Sequence, residues 1–364
     1  MRHHAVAATL LTATLLVTGC TAENSAENSA ENTAEETTQT TQEDTTRLLT
    51  DIDGTDVRVP KQVTRLADTW DVNNQFVLML GGGDTLVATT EEAKRLPWLT
   101  KIYPHVTELP TPTSGTRLNV EELKEINPEM LLTSSKEQVE AARAQGIPAA
   151  RVDFDDFEQL MKSVRITANA LGTEEADQKA TEYVTYMERN LKMVADRLGG
   201  MPGEKKPKVL HIVGGEDVTQ ADGPDSLVGE WIAATGARNV IEEVVDVTTV
   251  TPQDIVDAAP DFIIVGGTEA QQGVDKLVQD PALANVPAVK QGNVVKNPVG
   301  TSNWGRYSAE EALQLLWAAK LFHPEKFEDV DLVAETQQFY STFYGYELST
   351  EDAQRILDGE GPAA

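Results

Sequence analysis

The sequence is poor in the residues that most enzymes and metal sites need. It has one cysteine, Cys20, in 364 residues. A lone thiol forms no internal disulfide and leaves no cysteine cluster for zinc. Only five histidines occur, and His105, His211 and His323 lie far apart with no His-x-x-x-His spacing. No Ser-His-Asp or Cys-His arrangement stands out, and no carboxylate pair is placed by anything except abundance. Gly81-Gly82-Gly83-Asp84 lacks the Lys-Ser/Thr of a phosphate loop and reads as a turn. Basic residues are scarce as well: 30 Lys and Arg stand against 59 Asp and Glu, a formal charge of −29. That balance argues against nucleic acid and against flat binding to anionic lipid. Long apolar runs are missing too, since Ala5 to Val17 is too short to span a bilayer.

What is present begins with that run. Arg2, His3 and His4 precede it, and it ends in Val17-Thr18-Gly19-Cys20, the layout of a secretory signal over residues 1–19. Small residues before a cysteine resemble the lipobox of bacterial lipoproteins. The resemblance implies cleavage before Cys20 and lipid on its sulfur and new amino terminus. Acylation also accounts for an unpaired exported thiol. Residues 20–46 repeat Ala-Glu-Asn-Ser/Thr and then run through Thr, Gln and acids. Such a segment buries too little apolar area to offset ordering. It reads as a disordered tether reaching on the order of 25–30 Å.

With 40% hydrophobic residues, the rest can fill real cores. Val57 to Pro60 and Val63 to Leu66 alternate as short strands. Asn119-Val120-Glu121-Glu122-Leu123 through Asn127-Pro128 reads as a capped helix and a proline stop, followed by a strand at Met130 to Leu132. Thr251-Pro252 through Ala259-Pro260, then Phe262 to Val265, repeats that unit. Two copies imply two similar α/β lobes. Between them Thr173 to Leu198 keeps helical spacing at Tyr183, Met187, Leu191, Val194 and Leu198, with no Pro or Gly. A helix of about seven turns is predicted there. It would join the lobes rigidly and permit only modest rocking. The divisions are 47–172 for the first lobe, 173–200 for the linking helix and 201–364 for the second lobe.

These elements, with Asp225-Ser226-Leu227, Thr235-Gly236-Ala237-Arg238-Asn239-Val240, Val299 to Trp304 and Leu315 to Pro324, resemble the class III substrate-binding proteins of ABC importers. That family handles siderophores, haem, corrinoids and some nickel chelates. The resemblance covers roughly residues 50–357. It implies an α/β fold of two Rossmann-like lobes joined by a long rigid helix, with the ligand cleft between them. It also implies a permease dimer with cytoplasmic ATPases as partner, a monomeric binding protein, and no resident cofactor.

Ligands in such folds lie at the carboxyl ends of strands. That rule and the resemblance select Trp70, Arg117, Gln220, Asp222, Trp304, Arg306 and Tyr307, with Asn303 in the same loop. Aromatic faces beside a guanidinium suit a flat anionic or carboxylate-bearing chelate. The plainer reading has Trp304 and Tyr307 capping the next helix, with Arg306 paired to Glu310. His211, at a strand end, could approach the cleft but reads first as a core histidine. Trp317 and the Phe339 to Tyr346 aromatics read as packing. For docking, the resemblance implies one acid per lobe facing the permease: Glu108, and one of Glu230, Glu242 or Glu243, with Glu242 preferred. The expected function is capture of an iron–siderophore-type chelate, with corrinoid, haem or a nickel chelate as alternatives. A two-lobed extracytoplasmic enzyme is the distant competitor.

Overall fold

The structure, a computed structural model, describes residues 45–267 and 269–363. The signal, Cys20 and the segment read as tether up to residue 44 lie outside the described residues.

The first lobe opens with a hairpin of β1 (Thr46–Thr50) and β2 (Asp56–Pro60). Its main sheet is parallel and runs β4 (Leu86–Ala88), β3 (Leu66–Asp68), β7 (Met130–Thr133), β8 (Ala149–Arg151). A second hairpin joins β5 (Thr113–Ser114) and β6 (Arg117–Leu118). Helices α1 (Asp71–Met79), α2 (Pro97–Ile102), α3 (Val120–Ile126), α4 (Lys136–Arg143) and α5 (Phe157–Leu171) complete the lobe. The strand expected at Val63 to Leu66 is only its last residue. The Glu129 carboxylate accepts the amide N–H groups of Thr64 and Arg65, at 2.6 and 3.1 Å, so a side chain replaces ladder bonds there. The repeated αβ unit is present in both places. Asn119 caps α3 and Thr251 closes a capping box on α8 (Pro252–Ala258). Each helix ends in a left-handed residue, Asn127 or Ala259, one position before a proline.

Helix α6 (Glu174–Leu198), capped by Thr173, leaves the first lobe. It buries Tyr183, Met187 and Val194 as the spacing required, and packs on α5 and on α11 (Glu311–Phe322). The second lobe is a mixed sheet ordered β12 (Val247–Thr249), β10 (Gln220–Asp222), β9 (Lys208–Ile212), β13 (Phe262–Val265), β14 (Val294–Lys296). Strand β11 (Arg238–Asn239) adds to β9. The helices here are α7 (Leu227–Ala234), α8, α9 (Ala270–Gln279), α10 (Pro287–Gln291), α11, α12 (Leu332–Phe339) and α13 (Thr350–Leu357). Trp317 and the aromatics Phe339, Tyr340 and Phe343 are buried in the core.

Contacts beyond α6 hold the lobes together. The Gln75 side-chain Oε1 on α1 accepts from the Ala309 backbone N–H at 3.2 Å. Glu230 on α7 accepts the Phe157 N–H at the start of α5, at 2.8 Å. The C-terminal segment reaches back to α2: Lys101 pairs with Asp352 at 3.0 Å and the Trp98 indole donates to the Glu360 carbonyl at 2.8 Å.

Candidate functional site

The carboxyl ends of parallel strands from both lobes converge, as the strand-end rule requires. From the first lobe, β3 delivers Trp70, Asp71 and Val72. From the second, β9 delivers His211 and Val213, β13 delivers Gly266 and Gly267, and the chain after β14 delivers Asn297, Ser302, Asn303, Gly305, Arg306 and Tyr307. They enclose a cavity of about 330 Å³. A second cavity of about 340 Å³ adjoins it, sharing Val213 and Gly267 and adding Gly214, Gly215, Glu216, Asp217, Gln220 and Glu269.

One wall is aromatic. Trp70 and Tyr307 meet edge to face at 6.5 Å, and Phe154 packs behind both at 5.4 and 5.6 Å. Tyr307 holds a left-handed backbone, φ +57°, that a bulky residue rarely adopts. Burial pushes its hydroxyl up to about 12, so it stays a neutral phenol. Beside it lies an ionic cluster, with the Arg306 guanidinium 5.4 Å from the centre of the Tyr307 ring. The Arg306 guanidinium donates to Asp222 and pairs with Asp246 at 3.2 Å. Asp222 is fully buried, and its other oxygen lies 2.7 Å from His211 Nδ1. Burial opposes the charge on Arg306, but the two carboxylates outweigh it and hold its value above the ordinary one. Acids crowd the rim. Burial raises Asp71, and burial with Asp153 and Asp246 raises Asp155. Arg306 is the single Lys or Arg among the described residues lining the two cavities.

Trp70, Arg306 and Tyr307 therefore come together in one cavity, and Gln220 lines its neighbour. Asp222 sits behind the wall as the anchor of His211 and Arg306. Trp304 does not line the cavity. It is fully buried in the core, and the residue at the start of the next helix is Glu310. Arg117 is exposed on the β5–β6 hairpin and also does not line the cavity. That hairpin is tied to the cleft through Gln138, which donates to the Thr116 carbonyl at 2.9 Å and accepts from Thr69 at 2.6 Å. Arg306 is not a free clamp for a carboxylate, because Asp222 and Asp246 already occupy it; nor does it pair with Glu310. Glu310 instead accepts from Thr301, Ser308 and Tyr340. Glu108 and Glu242 are exposed, Glu108 beside His105 at 3.1 Å. Glu230 is half-buried and engaged by Phe157, unlike the exposed Glu242 and Glu243.

Sequence reasoning selected the loop that holds Asn303, missed Asp71 and ranked His211 as core. Asp71 adjoins Trp70, which was chosen, so only the side-chain direction was lacking. His211 is buried and satisfied on one nitrogen, yet it also lines the cavity.

Comparisons with known proteins agree with this architecture. A family model described as periplasmic binding protein matches residues 73–298. The molybdate-binding protein MolA of Haemophilus influenzae is 28% identical over 184 residues, which is 50% of this chain and 51% of that protein. The chain thus matches about half the length of that relative. The ABC transporter substrate-binding lipoprotein YvrC of Bacillus subtilis is 21% identical over 63% of this chain and 71% of its own length. A periplasmic solute-binding protein from Veillonella parvula superposes with a TM-score of 0.76 at 22% identity, covering 86% of this chain and 97% of that one. At that identity the likeness shows the shared fold.

Proposed function

Since the chain belongs to the periplasmic binding protein family, as a class III solute-binding protein of the ABC-transporter type, we propose that its cleft captures a neutral or cationic metal chelate, foremost an iron(III)–siderophore. Its relatives are solute-binding transport proteins and not enzymes. Binding proteins of this kind deliver small ligands to a membrane permease.

The observation that carries the ligand class is the state of Arg306. One guanidinium faces two carboxylates, Asp222 and Asp246, and the other charged residues lining the double cavity, Asp71, Glu216, Asp217 and Glu269, are all acids. Like charge disfavours a free oxyanion or a chelate bearing exposed carboxylates, such as haem. A neutral or singly positive iron(III) trihydroxamate meets no such penalty, and Trp70 with Tyr307 offers its organic shell an aromatic face. Corrinoids satisfy the same charge condition and remain the alternative within this class. Kinship with a molybdate-binding protein favours a second reading, a small oxyanion held by the uncharged Asn and Ser groups of the cavity.

Titration of purified protein against iron(III) trihydroxamate, cyanocobalamin, haemin, nickel(II)–histidine and molybdate, read by tryptophan fluorescence, tests this. Saturable quenching by the trihydroxamate is expected. Saturation by molybdate with no response to any chelate would overturn it.

The lipid anchor rests on the Val-Thr-Gly-Cys junction and on kinship with a protein described as a lipoprotein. Cys20→Ser should release the protein from the outer face of the cell membrane. Unmodified Cys20 in mass spectra of membrane fractions would exclude the anchor.

A further inference from the structure

Among the described residues, three other than glycine hold a positive φ: Asn127, Ala259 and Tyr307. Asn127 and Ala259 end helices, where a left-handed residue is usual. Tyr307 ends no helix. It stands on the cavity wall at φ +57°. A side chain crowds its own backbone there, so an unsupported left-handed form is outweighed by about 5- to 30-fold. Such strain persists only where the surroundings hold it, and it collects at binding sites.

The hold lies on the carboxyl side of Tyr307. The Ser308 hydroxyl donates to Glu310 Oε2 at 2.5 Å, and Ser308 Oγ accepts the Glu310 N–H at 3.0 Å. The Ala309 N–H donates to Gln75 Oε1 at 3.2 Å, so the first lobe grips the same turn. Glu310 is itself fixed. It is fully buried, and its Oε1 accepts the Thr301 N–H at 2.8 Å, the Thr301 hydroxyl at 2.7 Å and the Tyr340 hydroxyl at 2.7 Å. The chain approaches closely enough to require Gly300, where a Cβ would stand 2.6 Å from Oε1. One carboxylate thus ties the loop at Thr301 and again at Ser308. Between those ties lie Ser302, Asn303, Gly305, Arg306 and Tyr307, which line the cavity. All these donors are neutral. A buried carboxylate held by neutral donors is a costly choice for stability alone, which points to its work on the loop.

We propose that Glu310 is a positioning residue for ligand binding: it fixes Ser308, holds Tyr307 in its left-handed backbone and so keeps the phenol ring on the cavity wall. This rests on the reading of that cavity as the ligand site. Glu310 does not line the cavity and acts only through the loop. When the hold is lost, Tyr307 relaxes to an ordinary backbone. Its ring then leaves Trp70 and Phe154, which it meets at 6.5 and 5.6 Å. Apparent affinity falls with the fraction of molecules that keep the wall, about 5- to 30-fold.

The test uses the full chain with Ser308→Ala, Glu310→Gln and, as reference, Tyr307→Gly, which removes the ring and accepts a positive φ without strain. The first readout needs no ligand. Acrylamide quenching of Trp70, taken as the difference from each protein's Trp70→Phe counterpart, should rise in Ser308→Ala and Glu310→Gln most of the way to its level in Tyr307→Gly. The second is affinity for an iron(III) trihydroxamate. Ser308→Ala should weaken it about 5- to 30-fold alone, yet by no more than about twofold in the Tyr307→Gly background, where there is no strain left to hold. Equal losses in both backgrounds, or Trp70 no more accessible than in the unaltered protein, would overturn the positioning role. Should Glu310→Gln fail to fold, Ser308→Ala decides, because it leaves the carboxylate and its bonds to Thr301 and Tyr340 in place. If the trihydroxamate does not bind the unaltered protein, the chelate reading falls and the ligand-free quenching alone decides the role of Glu310.

Discussion

At the scale of single residues, burial separates reporters from scaffolding. Trp70 is half-buried on the cavity wall, whereas Trp98, Trp231 and Trp304 are fully buried and Trp317 nearly so. Ligand quenching is therefore assigned to Trp70: Trp70→Phe should abolish most of the signal, while persistence of the full signal would place the ligand elsewhere. Glu311 carries a different prediction. Both its carboxylate oxygens are buried without partners, and burial, with Glu230 and Glu310 nearby, raises its value well above the ordinary carboxylate range. Below that range folded and unfolded chains both hold the proton. As pH rises, the unfolded chain ionises first, so stability drains until the folded group titrates as well. Glu311→Met, which puts an unbranched apolar chain at a fully buried position, should stabilise by on the order of 1–3 kcal/mol. The gain should grow from pH 4 to pH 8; a flat or inverse pH profile in thermal melts would contradict the sign. That Trp70, Arg306 and Tyr307 would share one cavity was legible because the strand-end rule and the family resemblance together point to their loops. The engagement of Arg306 was not, because its partners lie 84 and 60 positions away in the chain.

At the scale of elements, the cleft depends on a close approach between two loops. A Cβ on Gly215 would lie 1.7 Å from the Glu269 carbonyl oxygen, whereas one on Gly214 would meet nothing within 4 Å. Gly215→Ala must push the β9–β10 loop off the turn before α9, costing about 1–3 kcal/mol and weakening ligand binding. Gly214→Ala should leave stability nearly unchanged. Equal melting temperatures for the two variants would show that the loops are not in contact. Neighbouring glycines look alike in sequence; only the tertiary approach distinguishes them. The same contrast explains which elements could be read beforehand. Helix α6 was legible because 25 residues without Pro or Gly keep one apolar stripe. The two αβ units were legible because capping residues, a proline stop and an apolar run all agree. The segment at Val63 to Arg65 was not, since a distant Glu129 takes its backbone donors.

At the scale of the whole molecule, a binding protein must hold its ligand and then present it. The lobes are joined by α6 and bridged at Gln75–Ala309, Phe157–Glu230, Lys101–Asp352 and Trp98–Glu360, so large hinge opening would break several bonds at once. The two lobes should therefore meet a permease as a nearly rigid pair, with one exposed acid on each as the docking points. Glu108 ends a short helical turn of the first lobe with its side chain 74% exposed, and Glu242 lies in an exposed loop of the second. That loop leads to Asp246, which grips Arg306 on the cavity wall, so the proposed docking point is physically continuous with the ligand site. Opposite charge on a partner speeds encounter and fixes register, while an exposed carboxylate loses little by partial desolvation. Reversing both acids, Glu108→Lys with Glu242→Lys, should leave ligand affinity within about twofold, because neither lines the cavity. It should lower uptake in whole cells at least about tenfold, since each lysine would then face a basic surface. The single reversals should each give part of that loss, and charge reversal at Glu230 should instead disturb folding, because that carboxylate holds the Phe157 amide. Wild-type uptake by the double variant would remove these two acids from the docking surface.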